Sequence, residues 1–221
     1  MITDRQTAGK GRSGRNWVGG EGNFQASFAL ALRCTPAVAS QLSLAAGIAL
    51  HDAIRSLAAA SLAPGNAIEL KWPNDLLIGR AKCAGILIET LRVAPDGPLA
   101  AVIGIGVNLV SHPDLPDRPV TDLSAHGVDV QPKSMLAALR ASMDSTIAAW
   151  DEGAGFDAVR KHWLKAATPH GTRMSVHGGH GHADQGRVEG AFAGLDADGA
   201  LLMTDHQGCT SRYTFGDVTL I

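Results

Sequence analysis

Several things are scarce in this 221-residue sequence, and each scarcity closes off a class of protein. There are three cysteines, Cys34, Cys83 and Cys209, too far apart for any metal-binding spacing. One disulfide would leave an odd thiol, so the pattern fits a reducing compartment, the cytoplasm. Charge of one sign is not in excess: 19 Lys and Arg against 21 Asp and Glu leave a net charge of -2, which argues against a protein that coats nucleic acid. No secretory leader is read at the start, and no apolar run reads as long enough to span a membrane. The Gly-x-x-x-x-Gly-Lys-Ser/Thr spacing of a P-loop is missing, and no internal repeat is found. What remains is 45% hydrophobic and 18% charged, the make-up of a folded chain of one or two domains with a real core.

Against that plain background one stretch stands out. Gln6-Thr-Ala-Gly-Lys-Gly-Arg-Ser-Gly-Arg-Asn-Trp17 alternates glycine with cation: Gly9, Lys10, Gly11, Arg12, Gly14, Arg15. Glycines let a backbone approach a ligand closely. Three cations on a short loop repel one another, a bound anion relieves the repulsion, and exposed amides can cradle a phosphate. The expectation is a loop that is mobile when empty and closes over a phosphorylated ligand. Flexible tails and nonspecific nucleic-acid contacts have similar composition, but here an apolar strand, Phe24 to Leu32, follows at once.

The rest of the chain reads as α+β. Residues 1–5 look like the end of a strand. Thr35-Pro36 starts a helix, with Thr35 as N-cap, that runs to about Ala60 and ends at Pro64-Gly65-Asn66. Ile68 to Trp72 is a strand, and Leu76–Ile78 with Lys82–Val93 forms a hairpin around Gly79-Arg80. After a turn at Pro95 to Pro98, Leu99–Val110 is an apolar strand whose Gly104 and Gly106 mark close approach by a ligand or another backbone. Residues 111–131 are irregular with a short helix at 121–126, and 133–151 and 155–167 are helical. Beyond a linker at Thr168 to Gly171, the short strands Met174–His177, Gly186–Leu195, Ala200–Thr204 and Thr210–Phe215 make a small all-β module, with turns at Asp196 to Gly199 and Asp205 to Gly208. The expected architecture is a mixed sheet packed with helices over 1–168, then a β module over 169–221.

Two further regions carry chemistry. Lys71-Trp-Pro-Asn-Asp75 presents polar groups at a strand end, and Lys82 opens an otherwise apolar strand, where an ammonium can neutralise a carboxylate or phosphate. Either lysine alone reads as a solvated strand end. Asn108 closes the Gly104-Ile-Gly-Val-Asn108 strand with one amide donor–acceptor pair, suited to an adenine edge or to a turn. Cys83 reads as core packing and His51 as a surface or interface residue. His177, His180 and His182 could hold a metal, but nothing completes a site, and a loose hairpin tip accounts for them.

Taken in order, the glycine-cation loop, Lys-Trp-Pro-Asn-Asp, Lys-Cys-Ala-Gly-Ile-Leu-Ile-Glu and Gly-Ile-Gly-Val-Asn-Leu closely resemble the biotin protein ligases, along most of the chain. The resemblance implies a class II synthetase-like catalytic domain and, from Val188-Glu-Gly190 and Asp198-Gly-Ala-Leu-Leu202, a small SH3-like C-terminal domain. It implies that ATP, with Mg2+, activates biotin as biotinyl-5′-adenylate, which then biotinylates a lysine of a biotin carboxyl carrier protein. Gln6, Lys10, Gly11, Arg12 and Lys82 would bind biotin and the adenylate phosphate. Gly9, Arg15, Trp17, Lys71, Asp75 and Asn108 would serve ATP, with Asp75 also toward magnesium, and Lys82, Arg12 and Arg15 would carry the catalysis. A homodimer is the oligomer it allows. Members of the family open their catalytic domain with a Ser-Thr-Asn segment, and some carry a DNA-binding domain. Neither has a counterpart here, so the expectation is a catalytic domain without its N-terminal part and no DNA or membrane partner. A lipoate–protein ligase and a non-catalytic remnant are the alternatives.

Overall fold

Strand alternation sets the first layer. In β1 (Phe24–Leu32) the side chains of Phe24, Ala26 and Leu32 are buried, with Phe28 and Leu30 packed against the same core. Ala29 and Ala31, on the opposite face, are exposed. β2 (Ile68–Lys71), β3 (Asp75–Ile78), β4 (Ala81–Arg92) and β5 (Leu99–Val107) complete a sheet in the order β1-β5-β4-β3-β2. This computed structural model describes residues 1–3, 6–58, 66–92, 97–116, 118–178 and 186–221. The expected turns at Pro64-Gly65 and Pro95-Asp96, and His180 and His182, lie outside the described residues.

The sheet is antiparallel throughout, not mixed. The reason is connection length: a parallel pair needs a crossover of a dozen or more residues, and β2 to β5 follow one another through short links. The parallel contacts among the described residues are isolated bridges, Leu70 to Ala167 and Lys82 to Val120. The N-terminal strand end is also a single bridge, Ile2 to Ala26.

Helices cover the core face. The expected long helix is two, α1 (Pro36–Ala39), capped by Thr35 Oγ1 accepting from Val38 N at 3.3 Å, and α2 (Leu42–Ala58). α3 (Pro132–Trp150) and α4 (Phe156–Ala166) pack on α2, whose many alanines permit close approach. The 36–58 stretch is, contrary to the sequence reading, long and apolar enough to cross a membrane by length and composition. Its burial within the protein marks it as the core helix. His51 is likewise not a surface residue: it is 5% exposed on α2. Burial lowers its pKa although Asp52, 3.0 Å from Nδ1, opposes the shift.

The second sheet comprises β6 (Arg173–His177), β7 (Val188–Leu195), β8 (Leu201–Thr204), β9 (Thr210–Tyr213) and β10 (Asp217–Leu220), antiparallel in the order β10-β6-β7-β8-β9. Asp196 and Asp205 cap its turns as expected, each Oδ1 accepting two backbone N–H groups. The sequence reading ended its last strand at Phe215 and missed β10. Docking is specific: Trp72 Nε1 donates to Gly199 O at 3.0 Å, and Trp163 meets Phe192 edge-on.

The thiols are separated by this packing. Burial, with Asp122 adding to it, pushes the Cys83 thiol up to about 12, whereas Cys209 is exposed. A thiol reagent at neutral pH should therefore modify Cys209 in the native protein and Cys83 only after unfolding, read by peptide mass spectrometry.

Candidate active site

Strand register places one row of residues across the whole first sheet. Lys71 pairs with Asp75, Asp75 with Gly85, Gly85 with Gly106, and Gly106 with Gln25. Opposed residues in a sheet share a face, so the row forms a floor, cationic at one end and amide-bearing at the other. A bulge in β4 puts Lys82 opposite Leu77 and Ala84 opposite Leu76, leaving Cys83 as the extra residue. The bulge resets the alternation, so that Cys83 and Ala84 both enter the core while Lys82 emerges on the floor side, the re-aiming that bulges perform.

Asp75 organises the cationic end. Its Oδ2 is 2.9 Å from Lys71 Nζ and its Oδ1 2.5 Å from Lys82 Nζ. Burial by itself would raise this carboxyl, but the two ammonium groups outweigh it and hold it far below the usual carboxylate range. Lys71 also donates to Val218 O at 2.6 Å, tying β2 to β10. The turn between β2 and β3, with a cis Trp72–Pro73 bond, is fastened by Asn74 Nδ2 donating to Ile86 O at 2.6 Å.

The middle of the floor is bare backbone, and Trp17 lies on it. A Cβ at Gly106 would stand 2.4 Å from the indole, and one at Gly85 would stand 3.2 Å from Lys82 Nζ and 3.3 Å from the indole. Lys82 Nζ is 5.9 Å from the indole centroid. Trp17 Nε1 is buried without a hydrogen-bond partner.

The glycine-cation loop forms the roof. Gly11 N donates to Arg15 O at 2.7 Å and Trp17 N to Gly9 O at 2.9 Å. β10 supplies the far wall: Arg12 Nη1 donates to Gly216 O at 3.4 Å, and Arg15 Nη2 to Asp217 Oδ1 at 2.5 Å. The Arg15 pair is partly exposed and therefore weak.

Between floor, roof and wall is a cavity of about 970 Å3. Of the residues singled out in the sequence, Gln6, Lys10, Gly11, Arg12, Arg15, Trp17, Lys71, Asp75, Lys82 and Asn108 all line it. Gly9 does not. It is buried where a Cβ would stand 2.3 Å from Trp17 O, a backbone role. Asn108 is 2% exposed, with Nδ2 donating to Thr121 O at 3.0 Å and Oδ1 without a partner. His177 is exposed at the end of β6, and among the described residues no three His, Cys, Asp or Glu side chains are grouped to hold a metal.

Three contributors escaped the sequence reading. Asn23 Oδ1 accepts from Leu109 N and Val110 N at 2.9 and 3.1 Å, clamping the turn after β5. Asp217 belongs to the missed strand. Gln25 carried the one available signal, a polar residue within an apolar alternating strand.

A sheet face with clustered cations at one end, a glycine floor and an overhanging Gly/Arg loop is built for a small anionic substrate and a phosphorylated one. Residues 1–108 match the biotin/lipoate A/B protein ligase family. The chain is 33% identical over 216 residues to a biotin–[acetyl-CoA-carboxylase] ligase of Paracoccus denitrificans, covering 94% of this chain and 85% of that protein. It is 30% identical over 224 residues to the bifunctional ligase/repressor BirA of Bacillus subtilis, covering 97% of this chain and 64% of the longer relative. The solved structure of a biotin protein ligase from Aquifex aeolicus in complex with biotin and ATP superposes with a TM-score of 0.78 at 25% identity, over 100% of this chain and 87% of that one. The chain belongs to the biotin/lipoate A/B protein ligase family.

The site geometry does not suit Asp75 to magnesium. Both its oxygens are taken by lysines, and a dication there would meet two ammonium groups. The structural role is testable. Removing the carboxylate of a buried pair leaves uncompensated charge, so Asp75→Asn should lower the unfolding free energy by about 3 kcal/mol in chemical denaturation. Because the folded carboxyl titrates below its ordinary value of 3.8, its contribution is complete above that value and is lost as pH falls toward the folded one. The gap between wild type and Asp75→Asn should stay constant from pH 7 to about 5 and narrow at more acid pH.

Proposed function

We propose that this protein activates biotin with ATP and transfers it to a lysine of a biotin carrier protein. One observation supports this most strongly: the cations of two distant segments, Lys71 and Lys82 on the sheet and Lys10, Arg12 and Arg15 on the loop, converge on one cavity. In the first step a biotin carboxylate oxygen attacks the α-phosphorus of ATP, and the bond to the pyrophosphate leaving group breaks. Two anions must meet, so cations that offset their repulsion and the charge developing at phosphorus supply the catalysis. In this reading Lys82 bridges the carboxylate and the α-phosphate, and Arg12 and Arg15, which line the same cavity, meet the phosphates. In the second step the carrier's neutral amine attacks the acyl carbon, AMP leaves, and the nitrogen gives up a proton. Magnesium arrives with the ATP phosphates in this reading and needs no protein carboxylate. A loop closed over the mixed anhydride keeps water from it until the amine arrives.

The same reading extends to the architecture. We take the catalytic domain as 1–168 and the second sheet, 169–221, as an SH3-like module whose β10 closes the site. The unpaired thiols suit the cytoplasm, and a homodimer is carried over from the resemblance.

Two measurements test the reading. ATP–pyrophosphate exchange should depend on biotin and not on lipoate. Lys82→Ala should lower it at least about 100-fold at a temperature where circular dichroism shows the variant still folded, and Lys82→Arg should not restore it, since a wide planar fork cannot replace a compact ammonium. Exchange driven by lipoate, or by biotin equally well in Lys82→Ala, would overturn the assignment. Trp17 supplies the second. It sits on the glycine floor, whereas its expected place is beside adenosine, so a ligand laid on the floor must displace it. Biotin binding should shift tryptophan emission in the wild type and leave Trp17→Phe unchanged.

A further inference from the structure

Gln25 is 2% exposed, lines the cavity, and has no hydrogen-bond partner for either Oε1 or Nε2. A primary amide sealed away from water with all its valences open is unfavourable unless something supplies them. The chain is shaped to keep it there. Gln25 is fixed in register with Gly106, and the segment after Trp17 drapes over the amide so closely that a Cβ at Gly19 would stand 2.0 Å from Nε2. Nothing polar among its described neighbours satisfies it, and the open side is the ligand cavity.

Its distance from the cations identifies what it meets. Lys82 Nζ leans over Gly85, 3.2 Å from where a Cβ would be. From Gly85 to Gln25 is two strand spacings, roughly 10 Å. Resting on the functional reading above, a carboxylate held at Lys82 leaves the rest of biotin to run across the two glycines, and the end that arrives at Gln25 is the ureido ring. A urea offers a carbonyl acceptor flanked by N–H donors. A primary amide offers a carbonyl acceptor beside N–H donors, so the two can pair edge to edge.

We propose that Gln25 is a specificity-determining residue that reads the ureido ring of biotin, Oε1 accepting a ring N–H and Nε2 donating to the ring carbonyl. Lipoate, whose dithiolane ring has neither group, leaves the amide unpaired and is rejected for that reason. A site built to hydrogen-bond its substrate discriminates strongly against an analogue that lacks the partner.

The test uses the full chain, with biotin, 2-iminobiotin (a cyclic guanidinium in place of the urea) and lipoate as probes. Affinity is read by calorimetry, and KM for ATP by pyrophosphate exchange. Gln25→Leu should weaken biotin at least about tenfold while changing the KM for ATP less than about twofold. Gln25→Glu replaces the mixed edge by acceptors only, so it should reverse the wild-type order and bind 2-iminobiotin more tightly than biotin. That ratio is measured within one variant and does not depend on how well Gln25→Leu folds. Wild-type affinity for biotin in Gln25→Leu, a loss confined to ATP, or an unchanged biotin to 2-iminobiotin ratio in Gln25→Glu would overturn the proposal. If the wild type itself shows no biotin-dependent exchange, it is the functional reading that fails, a result distinct from all of these.

Discussion

The carboxylate of Asp75, held between two ammonium groups, is the interaction on which the site depends. Without it Lys71 and Lys82 would repel each other across the hairpin that joins β2, β3 and β4. With it, both lysines are held by one shared carboxylate, Lys71 also donating to Val218 O. A flexible four-carbon side chain is a poor catalytic charge unless something holds it. Here the holding group is buried, and its two ammonium partners keep it far below the usual carboxylate range. The arrangement also fixes β10, because the Lys71 ammonium that meets Asp75 also meets Val218 O.

Register extends that local order across the sheet. Glycine in a strand interior is ordinarily a weakness. Gly85 and Gly106 stand opposite one another, and their two weak points coincide to make one flat surface beside Lys82. The bulge at Cys83 then decides which side chains the surface receives. One extra residue, hidden in the core as a small apolar thiol, places the lysine on the ligand side.

Much of this was legible before any coordinates. Turn chemistry at Gly79-Arg80, Asp196 and Asp205, the cap at Thr35 and the helices over 132–150 and 156–166 were all readable, because each is set by residues within a turn or two of chain. The glycine-cation loop was readable as a candidate anion site from its composition, whereas Lys82 stood out only in company with the other motifs. What was not legible depends on pairing at a distance. Whether a sheet is mixed or antiparallel is decided by which strands meet. β10 is four residues long and carries no turn signal of its own beyond Gly216. His51 was misassigned because a lone polar residue on an alanine-rich helix says nothing about which neighbours will cover it. Gln25 went unremarked as one polar residue in an apolar strand, and its significance appears only when Gly106, Gly85 and Asp75 fall into line with it.

The contact between Arg12 and Gly216 spans 204 residues of sequence. Floor, roof and far wall of the cavity therefore come from the first, middle and final parts of this chain, and the wall joins by long-range pairing, the slow kind of contact in folding. Until β10 docks, Lys71 lacks its Val218 partner and the basic loop lacks the wall that Gly216 and Asp217 provide. A ligand that binds the finished cavity therefore stabilises the docking of residues 217–220, which help to line it, along with the loop and the sheet.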